Sequence, residues 1–435
     1  MNLMMPIEKR DQLIKKGKLS WKSWLDAVEE HIRKTNGRYR GLVKWQPIER
    51  SDHGELPNLL VTYKDTIDIQ GFPTRLGSRC YRHIPDRSAI VADRLHERRF
   101  SCLGKAWTTE FSLGPKCECV NPLYPDFSAG GSSTGSAVSV AAGYCDVSIG
   151  TDSAGSVRWP AGYCGVVGLR LTQSPQMSDG VFSVSKSMDS MGIMTRTVAD
   201  LEYIWKRERL GEIFQSEAKL HSFDRRFLKI GVVDNYKEDP CHPEIQHCFS
   251  KLVDSLMEEG IVVRKENLRW WKYREEAFQL LWREVWDRHK TLRQTASVDY
   301  GPGIWYLVKQ GSQIDDVRYE HLKKVQKQVA SMAMHDLSNN EMDVWILPLD
   351  PVPPRNLRTP PTPVEELYSD LSYTITASQA VIPALTLPMG LTSDGAPMGL
   401  QIWAKPGGEE MLILAGRIIE ELVRSSFSQI QEAMI

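Results

Sequence analysis

Gly130-Gly131-Ser132-Ser133-Thr134-Gly135-Ser136 and, fourteen residues on, Gly150-Thr151-Asp152-Ser153-Ala154-Gly155-Ser156-Val157-Arg158 dictate how the chain must double back. Two serine-bearing, glycine-rich loops are separated by small residues from Ser136 to Gly143 and by the strand-like Asp146–Ile149. A helical segment of about ten residues runs about 15 Å out. Roughly six extended residues run about 20 Å back. The path therefore returns the second loop to the end of the sheet where the first began, so Ser132 and Ser156 are expected to meet.

Gly131-Ser132-Ser133-Thr134-Gly135 also matches the G-x-S-x-G nucleophile elbow, which needs an apolar strand directly before it. Asn121-Pro122 to Gly130 reads instead as loop. A phosphate loop fits worse, since no Gly-Lys-Ser/Thr follows the glycines. Working upstream, Leu59-Leu60-Val61-Thr62-Tyr63 reads as a buried strand, and Lys64 follows it directly. A lysine at the C-terminal end of a strand can point into the crevice where α/β proteins bind ligands.

Further strands are expected at 100–103, 228–233, 344–347 and 384–387, and helices at 20–33, 88–98, 243–258, 275–293 and 409–424, from their periodicity. In the first helix Ser20 is a candidate N-cap, and Trp21, Trp24, Leu25, Val28 and Ile32 share one face. Alternation of strands and helices argues for an α/β fold whose sheet is covered on both faces. Length alone suggests two or three domains. The proline-rich stretch 351–363 reads as a surface crossing rather than a domain break.

Apolar residues make up 41% and charged residues 25% of the 435, with a formal net charge of −1. No global field steers the chain to nucleic acid or an anionic membrane. The N-terminus lacks an apolar core of signal-peptide length, and no run reaches the roughly 18 apolar residues of a spanning helix. The cytoplasm is the default expectation. The eight cysteines are scattered, so reduced thiols are expected. Cys117-x-Cys119 lacks a second ligand pair at zinc spacing, and His242 and His247 between Cys241 and Cys248 do not share a helix face. No metal and no cofactor is expected.

The ordered motifs resemble those of the amidase signature family. Lys64-Asp65, Gly130–Gly135 and Thr151–Arg158 carry the likeness, supported by Pro160–Leu169, Ser187–Gly192, Pro383–Gly390 and Gly395–Gln401. The resemblance spans about residues 10–425. It implies one α/β domain over 1–435 with a mixed sheet: an N-terminal helical part over 10–60, a catalytic core over 60–200, a variable substrate-shaping segment over 205–340, and C-terminal strands and a helix over 341–435. It implies Ser156 as nucleophile and Ser132, held by a cis peptide after Gly131, as the relay to Lys64. The backbone N–H groups of Ser153, Ala154, Gly155 and Ser156 would form an oxyanion hole, where small residues let the backbone approach a developing charge. Ser133, Asp152 and Arg158 would support them.

A lysine with a reference pKa near 10.4 must be brought to about 7 to act as a base at neutral pH, roughly 4 kcal/mol of differential interaction, which burial can supply without a metal. Thr134, Ala154, Leu171, Ala106-Trp107, Ser378 and Val381 depart from the family's usual residues. They leave the triad intact and alter the pocket. Trp282 and Trp286 share a helix face, where core packing is the first expectation and an aromatic wall the second. Trp107 and Trp159, which flank motif loops, are the better pocket candidates. The resemblance points to a small-molecule amide as substrate, with water or an amine as acyl acceptor, and to relatives that are often homodimers. The alternatives are an ammonia-delivering component of an amidotransferase, against which Trp159 weighs, and a non-catalytic binding protein, against which the complete triad weighs.

Overall fold

The structure, a computed structural model, describes residues 1–48, 58–114, 117–216, 227–295, 299–339, 341–360 and 370–426. Eleven strands form one mixed sheet: β1 (Leu42–Trp45), β2 (Leu59–Lys64), β3 (Phe100–Ala106), β4 (Val147–Asp152), β5 (Val167–Arg170), β6 (Ser190–Thr195), β7 (Lys229–Val233), β8 (Val262–Glu266), β9 (Val344–Pro348), β10 (Ala384–Leu391) and β11 (Pro397–Trp403). Their order is β1-β3-β2-β4-β6-β5-β10-β11-β9-β7-β8. β2 runs parallel to both β3 and β4, while β6, β5, β10 and β11 pair antiparallel with their neighbours.

Every residue of β2 is buried. Alternate side chains serve opposite faces: Leu59, Val61 and Tyr63 join the larger core with Val147 and Ile149, whereas Leu60 joins a second core with Leu103 and Met194. Helices cover both faces, and one domain spans the chain, not the two or three that length suggested. Trp24, Leu25, Val28 and Ile32 of the helix Trp21–Tyr39 pack into the second core, and Ser20 caps that helix by accepting from Ser23 N at 3.0 Å. A third cluster, including Phe111, Leu113, Phe182, Val184, Leu281 and Ile304, joins the helix Arg274–Thr295 to the loops at one end of the sheet. Pro361 and Pro363 of the expected surface crossing lie outside the described residues, as do 49–57 of the N-terminal part. No described helix is long and apolar enough to cross a membrane.

Parallel pairing fixes the site. Tyr63 lies opposite Ile149, so β2 and β4 end together, placing Lys64 beside Thr151. The expected out-and-back path is realised by the helix Thr134–Ala141 followed by β4. It brings the Gly130–Ser133 loop to that same end.

Candidate active site

Lys64 is wholly buried. Its Nζ lies 2.8 Å from Ser132 Oγ and 2.9 Å from Thr151 Oγ1. Burial brings its pKa down to about 7, against the opposing pull of the Asp189 and Asp152 carboxylates. A neutral amine so placed has one lone pair for the Ser132 hydroxyl proton and N–H bonds left for Thr151. The Gly131–Ser132 peptide is cis.

Ser133 is fully buried. Its hydroxyl donates to Thr151 O at 3.2 Å and its N–H to Ser156 O at 3.1 Å, so it staples the two loops together. A Cβ on Gly150 would lie 2.8 Å from Ser133 Oγ, which is why that position is glycine.

The loop after β4 is organised by Asp152. Its carboxylate accepts from the N–H groups of Gly155 at 2.9 Å and Val157 at 3.1 Å. It also accepts Arg158 Nη2 at 2.8 Å and Nε at 3.0 Å, with Arg170 Nη1 at 3.3 Å. Burial alone would raise the pKa of this carboxyl, but the two guanidiniums and these N–H groups hold it well below the usual range. Arg158 Nη1 and Nη2 reach on to Thr374 O at 2.7 Å, Gln401 Oε1 at 2.9 Å and Ser378 Oγ at 2.9 Å. The C-terminal motifs thus meet the serine loop through one buried guanidinium, with Ser378 as one of its acceptors.

One expectation changes here. The Gly155 N–H, expected among the oxyanion donors, is committed to Asp152. Among the described residues, the N–H groups of Ser153, Ala154 and Ser156 hold no backbone or side-chain acceptor. Gly155 is required for another reason: its φ is +124°, and a Cβ there would come within 2.5 Å of Thr374 Oγ1.

Ser132, Ser153, Ala154 and Ser156 line one open cleft with Gly131, Trp159, Leu113, Val184, Leu281, Trp282 and Leu371. Among the described residues, none that lines the cleft carries a charge. Ser156 is partly exposed, and its hydroxyl holds no hydrogen bond among the described residues, including to Ser132. Catalytic contacts of this kind often tighten only when substrate is bound.

Lys64, Ser132, Ser156 and Trp159 are therefore brought together. Trp107 is not: it stays outside the cleft lining, with its N–H donating to Gly41 O and its carbonyl accepting from Gly135. Its role is to brace the start of the Thr134–Ala141 helix. Trp282 lines the cleft rather than only packing in the core, while Trp286 packs against Trp305. Sequence reasoning gives Asp189 no role beyond its motif. In the structure it accepts from the Ser153 hydroxyl and, at 2.8 Å, from Ser183 Oγ. All eight cysteines are free.

The family model described as Amidase matches residues 42–413. The second of the glutamyl-tRNA(Gln) amidotransferase A-subunits of Clostridium acetobutylicum is 27% identical over 418 residues, covering 85% of each chain. The corresponding A-subunit of Fusobacterium nucleatum subsp. nucleatum is 26% identical over 470 residues, covering 96% of each. A crystal structure described as an amidase superposes with a TM-score of 0.82 at 24% identity, over 95% of this chain and 98% of that one. A bacterial aryl acylamidase of the amidase signature family gives 0.78 at 20% identity, over 97% and 96%. At these identities the solved structures share the fold.

Proposed function

Because the chain belongs to the Amidase family and is an enzyme acting on amide bonds, we propose that it hydrolyses an uncharged small-molecule carboxamide through an acyl-enzyme on Ser156. The observation that carries this reading is the buried Lys64–Ser132 contact at 2.8 Å, opening on the same cleft as Ser156. Ser156 Oγ attacks the carbonyl carbon as its proton passes to Ser132 Oγ, whose own proton moves to the Lys64 lone pair. The oxyanion faces the uncommitted N–H groups of Ser153, Ala154 and Ser156. Collapse breaks the C–N bond, and the amine leaves with the proton returned from Lys64 through Ser132. Water repeats the sequence on the acyl-enzyme.

The curated relatives favour a second reading, a component of an amidotransferase, for which we take glutamine as the amide donor. Free glutamine carries an ammonium and a carboxylate that would need partners on leaving water. Among the described residues, the cleft lining offers no charged side chain, which favours the hydrolysis of neutral amides. A fluorophosphonate probe followed by peptide mass spectrometry should label Ser156, and the enzyme should release amine from neutral aryl or alkyl amides. An adduct on Ser133, or turnover of glutamine alone, would overturn the proposal.

A further inference from the structure

Outside the motif loops, one buried carboxylate ties the cleft wall to the serine loop. Glu284 sits on the helix Arg274–Thr295, which also supplies Leu281 and Trp282 to the cleft. It accepts from Ser185 Oγ and Ser187 Oγ, each at 2.5 Å, and from Ser187 N and Tyr319 Oη, each at 3.1 Å. Its two oxygens are thus engaged by four donors, although the side chain is almost entirely out of water.

Ser185 and Ser187 belong to a tight turn in which Met188 N and Asp189 N donate to Ser185 O at 3.1 and 2.8 Å. Asp189 closes that turn from its other side, accepting Val184 N at 2.8 Å and Ser185 N at 3.1 Å. The same Asp189 carboxylate accepts the Ser153 hydroxyl. A continuous path therefore runs from Glu284 through the turn and Asp189 to Ser153, which lines the cleft and whose N–H holds no acceptor among the described residues. Val184, part of the turn, is itself cleft wall.

We propose that Glu284 is a positioning residue: by fixing the Ser183–Asp189 turn it sets the place of Ser153, and with it the oxyanion donors, while its helix forms the acyl-binding wall. This rests on the reading of Ser156 as nucleophile. Because the donors act on charge that develops only in the transition state, loosening them lowers kcat and leaves KM nearly unchanged. An ångström-scale misplacement of such groups costs up to about 100-fold in rate.

The test compares wild type with Glu284→Gln, which keeps the volume but offers one acceptor oxygen, and with Ser187→Ala, which removes one donor and leaves the carboxylate. Active sites are titrated with the fluorophosphonate probe. The expected result is a fall in kcat per titrated Ser156 of about 10-fold for Glu284→Gln and a smaller fall for Ser187→Ala. KM and the acid limb of the pH profile should stay in place, since Lys64 is untouched. A merely structural role would lower the melting temperature and the titratable fraction but leave kcat per site equal to wild type, and that result overturns the proposal. The rate at which the probe labels Ser156 depends on the same donors and is read independently of amide turnover. A wild type that is labelled yet hydrolyses no amide therefore defeats the proposed function, while equal labelling rates in wild type and variants defeat the role of Glu284.

Discussion

Replacing Lys64 by methionine should make folding stability depend on pH less than it does in wild type. The two side chains have similar volume, so the change removes the amine with little repacking. Burial holds the folded pKa near 7 against an ordinary 10.5. The difference of about 3.5 pKa units corresponds to about 5 kcal/mol of penalty on the charged form. Below pH 7 both folded and unfolded chains carry the proton, so wild type bears the whole penalty. Between pH 7 and 10.5 the unfolded lysine stays charged while the folded one is neutral, and wild type regains about 1.4 kcal/mol per pH unit. The variant has no such gain. It leaves Ser132 Oγ and Thr151 Oγ1 without their lysine partner, at about 1–3 kcal/mol each, but that cost is independent of pH in this range. Urea unfolding of both proteins at pH 6.0, 7.5, 8.5 and 9.5 measures the difference. Wild type should gain on the variant by about 3 kcal/mol between pH 7.5 and 9.5, and its kcat/KM should rise through a midpoint near pH 7 while the variant is inactive. A stability difference that is the same at pH 6.0 and 9.5 would show that Lys64 stays protonated, and would refute the neutral-base mechanism.

Val381→Gly should stabilise the protein. Val381 follows the helix Thr374–Gln379 at φ +59°, donating to Ser378 O, while Ile382 N donates to Ala377 O. This is the helix ending that glycine ordinarily occupies. Relieving the left-handed strain is worth about 1–2 kcal/mol, offset by about 0.5–1 kcal/mol of backbone entropy, so a net gain of about 0.5–1 kcal/mol should appear in denaturant melts. Asp152→Asn should cost about 3–5 kcal/mol, because it leaves Arg158 and Arg170 buried without their counter-charge. Thermal melts should show the loss and Ser156 labelling should slow; an unchanged melting temperature would contradict the clamp.

What the sequence made legible was local. The two serine loops are short, so spacing alone predicts that Ser132 and Ser156 meet at one end of the sheet; Leu59–Tyr63 is a continuous apolar run followed by Lys64, and the family resemblance is what joins that lysine to them. β5 and β6 were less visible as strands, because Val167–Arg170 is only four residues long and Ser190–Thr195 carries a central glycine. The cleft wall was the hardest part. Trp282 and Glu284 lie on a helix whose periodic pattern reports burial but not which neighbour is met. Trp107 flanks a motif in the chain yet does not line the cleft. Contacts such as Glu284 to Ser187 join residues 97 apart, and no local pattern encodes them.

The Arg274–Thr295 helix adds no strand to the sheet that carries Lys64 and the serine loop; it meets the loops at the end of that sheet through the third cluster and Glu284. If the proposed reading holds, specificity would be exchanged much as a lens is changed on a camera, by substituting that helix while the chemistry stays in place. The Glu284 attachment sets the mount: a transplanted helix that brings new wall residues without a carboxylate at this position would deliver substrate to a serine loop no longer held in register.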